Sequence, residues 1–72
     1  MNGIDYKLVA KRLKELREEI GKSARQVARE IGVGESCIAQ WERLHRTPTI
    51  DGIFRLAKHY NVSSDYLLGL VD

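Results

Sequence analysis

Apolar residues recur along this chain at intervals of three and four, in short stretches separated by glycine, asparagine or hydroxyl residues. Tyr6, Val9, Leu13, Leu16 and Ile20 form one stripe, so residues 5–20 are predicted as an amphipathic helix opened by Asp5 and ended by Gly21. Val27, Ala28 and Ile31 give a second helix its inner face before Gly32, and Ser23 with Gln26 three residues later makes a capping box at its start. Residues 35–42 are predicted as a third helix with Ile38 and Trp41 inward and Gly34 as its N-cap. Residues 43–48 (RLHRTP) form a loop. Thr49 then caps a fourth helix whose Ile50, Ile53, Leu56, Ala57 and Tyr60 share a face, with Asn61 in the left-handed position at its end. Ser63 caps a short fifth helix, Asp65 sits in its first turn, and Leu67 and Leu68 anchor it. No segment alternates with the period of two that a strand requires. The expectation is an all-α fold, a single compact five-helix domain over residues 1–72.

Residues 28–38 (AREIGVGESCI) hold the most specific spacing: a small residue, a glycine four positions on, and a β-branched residue six beyond that. Ala28 allows a second helix to approach closely, Gly32 ends the first in a left-handed conformation without a Cβ penalty, and Ile38 packs back into the crevice. Two helices so joined make a helix-turn-helix, whose second helix can lie in the major groove of DNA.

Composition narrows the picture only modestly. The chain is 43% hydrophobic and 31% charged, and no apolar run approaches the ~20 residues that span a bilayer, so no membrane association is expected. The opening MNGIDYK is polar and lacks the apolar core of a secretory signal, which points to a cytoplasmic location. The net charge is +2, but residues 1–46 carry ten Lys/Arg against seven Asp/Glu, and residues 47–72 two against three. The basic part is the helix-turn-helix part, as a polyanion partner would favour. Cys37 is single, and His45 and His59 are scattered, so neither a disulfide nor a metal or other cofactor is expected. Cys37 reads as a small semi-buried residue, Trp41 as core, and His59 as an ordinary surface histidine. No paired carboxylates, nucleophile–base set or phosphate loop is present to suggest an enzyme.

Four segments together resemble the phage-repressor-like regulators, the Cro or xenobiotic-response-element type of helix-turn-helix protein: residues 12–17 (RLKELR), 23–42 ending in IAQWE, 47–62 (TPTIDGIFRLAKHYNV) and 63–69 (SSDYLLG). The resemblance implies a lambda-repressor-like fold, a third helix that enters the major groove, and sequence-specific regulation of transcription on double-stranded DNA. Three positions depart from the family pattern. Ala24 stands where a phosphate-touching glutamine is usual, Gly34 where a capping hydroxyl is usual, and Arg43-Leu44 where Asn-Gly is usual.

With Ile38 and Trp41 inward, the 100° step of a helix turns Ser36, Gln40 and Arg43 outward, with Ala39 at the flank and Glu35 at the leading tip. Glu35, Ser36, Ala39 and Gln40 are the candidate base readers: Gln pairs bidentately with adenine, Glu accepts from cytosine N4, and an Ala methyl meets the thymine methyl. Lys22, Ser23 and Arg25 at the start of helix 2, and Arg43, His45, Arg46 and Thr47 beyond helix 3, are the candidate phosphate contacts. Arg17 and Glu42 lie on matching edges of their helices, and the family pairs these positions, which implies an orienting ion pair. Leu70 and Val71 lie beyond Gly69 with no helix left to cover them. With Tyr66, they are the candidate contact of a weak homodimer, the resembling family forming a two-fold contact at that end. The expected function is therefore a repressor on a pseudo-palindromic operator, with no small-molecule ligand. The competing class is an antitoxin-like module that binds a partner protein, and salt-dependent binding to duplexes separates the two.

Overall fold

The computed structural model describes residues 3–72; the first two of the polar opening residues lie outside the described residues. Five helices follow in order: α1 Tyr6–Glu19, α2 Ala24–Ile31, α3 Cys37–Glu42, α4 Ile50–Tyr60 and α5 Ser64–Leu68. Among the described residues there is no strand, and no helix is long and apolar enough to cross a membrane. Side-chain caps set four of the five starts. Asp5 accepts from the amides of Lys7 and Leu8, Ser23 from Gln26, Thr49 from Gly52 and Ser63 from Tyr66. Each such cap contributes on the order of 1 kcal/mol. At Ser23 only this half of the predicted capping box is made.

The core collects between one and three residues from every helix. Val9 and Leu13 of α1, Val27 and Ala28 of α2, Ile38 and Trp41 of α3, Leu56 of α4 and Leu67 of α5 are all buried. Burying each of the larger side chains contributes roughly 1.5–3 kcal/mol, which is what holds such short helices in place. Helix α1 packs on α3 and α5, α2 on α3 and α4, and α4 on α5. At the junction of α3 and α4 the Trp41 ring lies against the bare Cα of Gly52, where a Cβ would sit 2.5 Å from the indole.

The structure differs from the sequence reading at three places. Helix α3 begins at Cys37, not at residue 35, and Gly34 is not its cap. The Cys37 amide donates to the Gly34 carbonyl at 3.0 Å, and Ser36 has φ −94° and ψ −5°, so residues 34–37 form a type I turn that leads into the helix. Tyr6 and Ile20, the two ends of the α1 stripe, are exposed, because α1 is longer than the layer it covers and Ile20 already lies in the C-cap. Ile50 is 91% exposed. It sits at the first position of α4, roughly a quarter-turn from the centre of the buried face, where no other helix reaches over it.

Candidate nucleic-acid interface

Helices α2 and α3 meet across a turn built as their spacing required. Gly32 takes φ 78°, its amide donates to Arg29, and the Val33 amide donates to the Ala28 carbonyl at 3.0 Å. This pairing satisfies late carbonyls of α2 and turns the chain toward α3, which packs on α2. Arg55 of α4 braces the same end, donating to the Ile31 carbonyl at 2.7 Å while it holds Asp51 at 2.8 Å.

Burial of Ile38 and Trp41 leaves the opposite side of α3 and its flanks facing out. Ser36 is exposed, and Ala39 and Gln40 are half-buried. The Gln40 amide nitrogen donates to the Ser36 hydroxyl at 3.4 Å, a long bond that orients the amide along the surface of the helix. Glu35 lies in the preceding turn instead of in the helix. Its carboxylate faces α2, 3.2 Å from Arg25 and 3.1 Å from Arg29.

Beyond α3 the chain reverses without a glycine. Leu44 adopts φ 63°, the His45 amide donates to the Gln40 carbonyl at 2.9 Å and the Leu44 amide to the Trp41 carbonyl at 3.3 Å, and the Arg46 amide adds a second bond to Gln40 at 3.3 Å. This is a Schellman closure with leucine in the left-handed position, and it occupies the place where the Asn-Gly of related sequences would fall. Arg43, His45, Arg46 and Thr47 are all exposed beside the end of α3, and among the described residues Arg43 and Arg46 make no ion pair. The candidates at the start of α2 are more engaged. The Ser23 hydroxyl is taken up by its cap, Arg25 pairs with Glu35, and the Lys22 ammonium lies 2.8 Å from both oxygens of Glu30.

Arg17 and Glu42 form a bidentate fork: Nε donates to Oε2 at 2.8 Å and the second guanidinium nitrogen to Oε1 at 2.9 Å. Their side chains are only 16% and 7% exposed. Arg17 also donates to the Lys22 carbonyl at 2.9 Å, so one guanidinium ties α1, the first interhelical turn and the end of α3 together. The bond to Glu42 raises the Arg17 pKa further above its ordinary value despite partial burial. Tyr60 of α4 is packed beside this pair. Burial, and secondarily the Glu42 charge, pushes its phenol up to about 12, and its hydroxyl has no hydrogen-bond partner among the described residues.

Two further networks were not legible in the sequence. His59 is not an ordinary surface histidine: its side chain is 18% exposed and its Nε2 lies 2.6 Å from Glu30. Glu30 thus bridges Lys22 and His59, and their hydrogen bonds, Lys22 first, hold its carboxyl below the usual range. The partners stand 8 and 29 positions away, at spacings with no helical or strand signature. Tyr66, taken from the sequence as part of a partner surface, is covered by Arg12, whose guanidinium stacks on the ring 4.2 Å from its centre. Arg12 also donates to the carbonyls of Tyr66 and Val71, which pins the end of the chain against α1 and leaves Leu70 72% and Val71 48% exposed.

Five short helices with the second and third joined through a left-handed glycine, and an outward polar strip on the third, define the class of helix-turn-helix domains. A helix-turn-helix family model matches residues 13–67, and the chain belongs to that family. It is 39% identical over 61 residues to the HTH-type transcriptional regulator ImmR of Bacillus subtilis, covering 85% of this chain and 48% of that protein. The chain spans about half the length of the curated relatives it matches. Among solved structures, the P22 c2 repressor in complex with a synthetic operator superposes with a TM-score of 0.78 at 30% identity, covering 85% of this chain and 92% of that one. The biofilm regulator SinR of Bacillus subtilis, solved in complex with DNA, gives 0.76 at 31% identity over 83% of this chain and 97% of its own. These relatives are transcription regulators and not enzymes.

Proposed function

We propose that this domain binds duplex DNA in a sequence-specific way and represses transcription, with α3 in the major groove and two copies on a pseudo-palindromic site. The observation that carries this reading is the outward strip of Ser36, Ala39 and Gln40, held in a fixed orientation by Trp41 and the Arg17–Glu42 fork and bordered by the exposed cations Arg43 and Arg46, which make no ion pair among the described residues. The regulator relatives and the two DNA-bound neighbours support it. Within this reading Gln40, Ser36 and Ala39 read base edges. Glu35 reads at the tip once Arg25 turns from it to a phosphate. Lys22, Ser23, Arg25, Arg43, His45, Arg46 and Thr47 carry the backbone contacts. In this reading the protein acts in the cytoplasm.

Selection of bound duplexes from a random pool, followed by titration at several salt concentrations, tests the reading. Gln40→Ala should cost roughly 1–3 kcal/mol on the selected site and little on a scrambled one, whereas Arg43→Ala or Arg46→Ala should weaken both and flatten the salt slope by about one unit. No enrichment, with binding insensitive to salt, would overturn it in favour of a protein-binding module.

A further inference from the structure

The turn between α2 and α3 carries a carboxylate that α3 itself does not hold. Glu35 lies ahead of Cys37, where the helix begins, and its side chain reaches back to two cations one turn apart on α2. The two oxygens are divided between them. Arg29 donates to Oε1 from both Nε and a terminal nitrogen, at 3.2 and 3.1 Å, whereas Arg25 approaches Oε2 with one nitrogen at 3.2 Å. The cations also stand at opposite ends of α2. Arg25 is its second residue, beside the free amides that attract a phosphate, and Arg29 is in its last turn. Ala24, the first residue of α2, has no polar side-chain atom with which to hold Glu35 from that end.

We propose that Arg29 is a positioning residue for base reading, which holds Glu35 by Oε1 so that Oε2, once Arg25 has left it for a phosphate, accepts from the N4 amino group of a cytosine. This role rests on the DNA-binding reading and adds to it the side chain that makes Glu35 selective. A carboxylate only accepts, so in the major groove it is drawn to amino groups and repelled by N7 and O6. Cytosine presents its amino group with no acceptor beside it on the same base, whereas adenine sets N7 next to N6, which leaves cytosine as the better partner. A bare carboxylate at the edge of α3 would be pushed away from DNA by the phosphates. Arg29 supplies the counter-charge and, through two hydrogen bonds on one oxygen, the direction. Ser36 and Gln40 bond to each other and not to Glu35, so the support comes from α2. The side chains of Arg25, Arg29 and Glu35 are 68%, 63% and 53% exposed, which leaves the cluster open to a base and a phosphate without any movement of the core.

Selection from a random duplex pool with the wild type and with Arg29→Gln, Arg29→Lys and Glu35→Gln, followed by titration of each base at the selected positions, tests this role. The wild type should select a cytosine at one position of the site and lose about tenfold in affinity when that base is replaced. In Arg29→Gln this preference should fall below about twofold, while the preference that Gln40→Ala removes is retained. Arg29→Lys keeps the charge without the two-pronged hold and should recover part of the preference. Glu35→Gln should move it from cytosine to adenine, because an amide donates to N7 and accepts from N6. Circular dichroism checks that each variant is folded, which is expected at exposed positions. If Arg29 is itself only a phosphate contact, Arg29→Gln will weaken all duplexes alike and flatten the salt slope by about one unit with the cytosine preference intact, and that result overturns the proposal. A selected site without a cytosine that Glu35→Gln exchanges for adenine overturns it as well, and in both cases the DNA-binding reading stands. No enrichment by the wild type would refute that reading and this role together.

Discussion

Leu44 carries the one strained backbone conformation in the stretch that follows α3. A leucine at φ 63° brings its Cβ against the neighbouring carbonyl, at a cost of roughly 1–2 kcal/mol, and the 47% exposed side chain recovers little of that by packing. Leu44→Gly should raise the melting temperature by a few degrees, a net gain of up to about 1 kcal/mol after the greater freedom of the unfolded glycine is subtracted. A lower melting temperature would mean that the leucine side chain packs more tightly than its exposure indicates. The absence of Asn-Gly is visible in the chain but its replacement is not, because the closure is made by the His45 amide on the Gln40 carbonyl and the Leu44 amide on the Trp41 carbonyl, and amides carry no residue signature. The caps were legible for the opposite reason. Ser23, Thr49 and Ser63 act on amides only three residues away, within the reach of a local pattern.

Helix α4 is positioned by an absent side chain. Gly52 would cost about 1 kcal/mol against alanine in an isolated helix, so Gly52→Ala would ordinarily stabilise. Here the new methyl meets the buried Trp41 ring at 2.5 Å and the capping Thr49 hydroxyl at 3.0 Å, so the indole must shift within the core. The expected outcome is destabilisation by about 1–3 kcal/mol in denaturant unfolding, together with weaker DNA binding as α3 is pushed aside. Helix existence and inner faces followed from the three-and-four spacing. Helix ends did so less well, since the turn before α3 and the exposure of Ile50 depend on which neighbour arrives, and periodicity carries no information about that.

For the molecule as a whole, the links between distant helices are ionic as well as apolar. Glu30 holds Lys22 and His59 together, and its carboxyl pKa is lowered in the folded state, so its contribution is present above the ordinary value of 4.5 and is lost as the pH falls through the folded value below it. Chemical denaturation should therefore find Glu30→Gln less stable than the wild type at pH 7, with the difference closing below pH 4.5; a difference independent of pH would show that the carboxylate charge is not what matters. Such links join residues far apart in sequence, which is why the five-helix fold was legible from the chain while the Lys22, Glu30 and His59 network and the Arg12 clasp were not. The Arg17–Glu42 fork has a consequence in time. Its partners stand 25 positions apart, and it becomes dry only after α1 and α3 have both docked. If the fork closes only after the folding transition state, its strength governs the rate of opening and leaves the rate of folding alone. Arg17→Lys keeps the charge but gives up the two-pronged geometry, a loss of about 1.5 kcal/mol. Stopped-flow measurements should find unfolding roughly tenfold faster with refolding unchanged, and slower refolding would place the fork in the nucleus instead. How long α3 keeps its orientation is then set by a side chain on a different helix, facing inward.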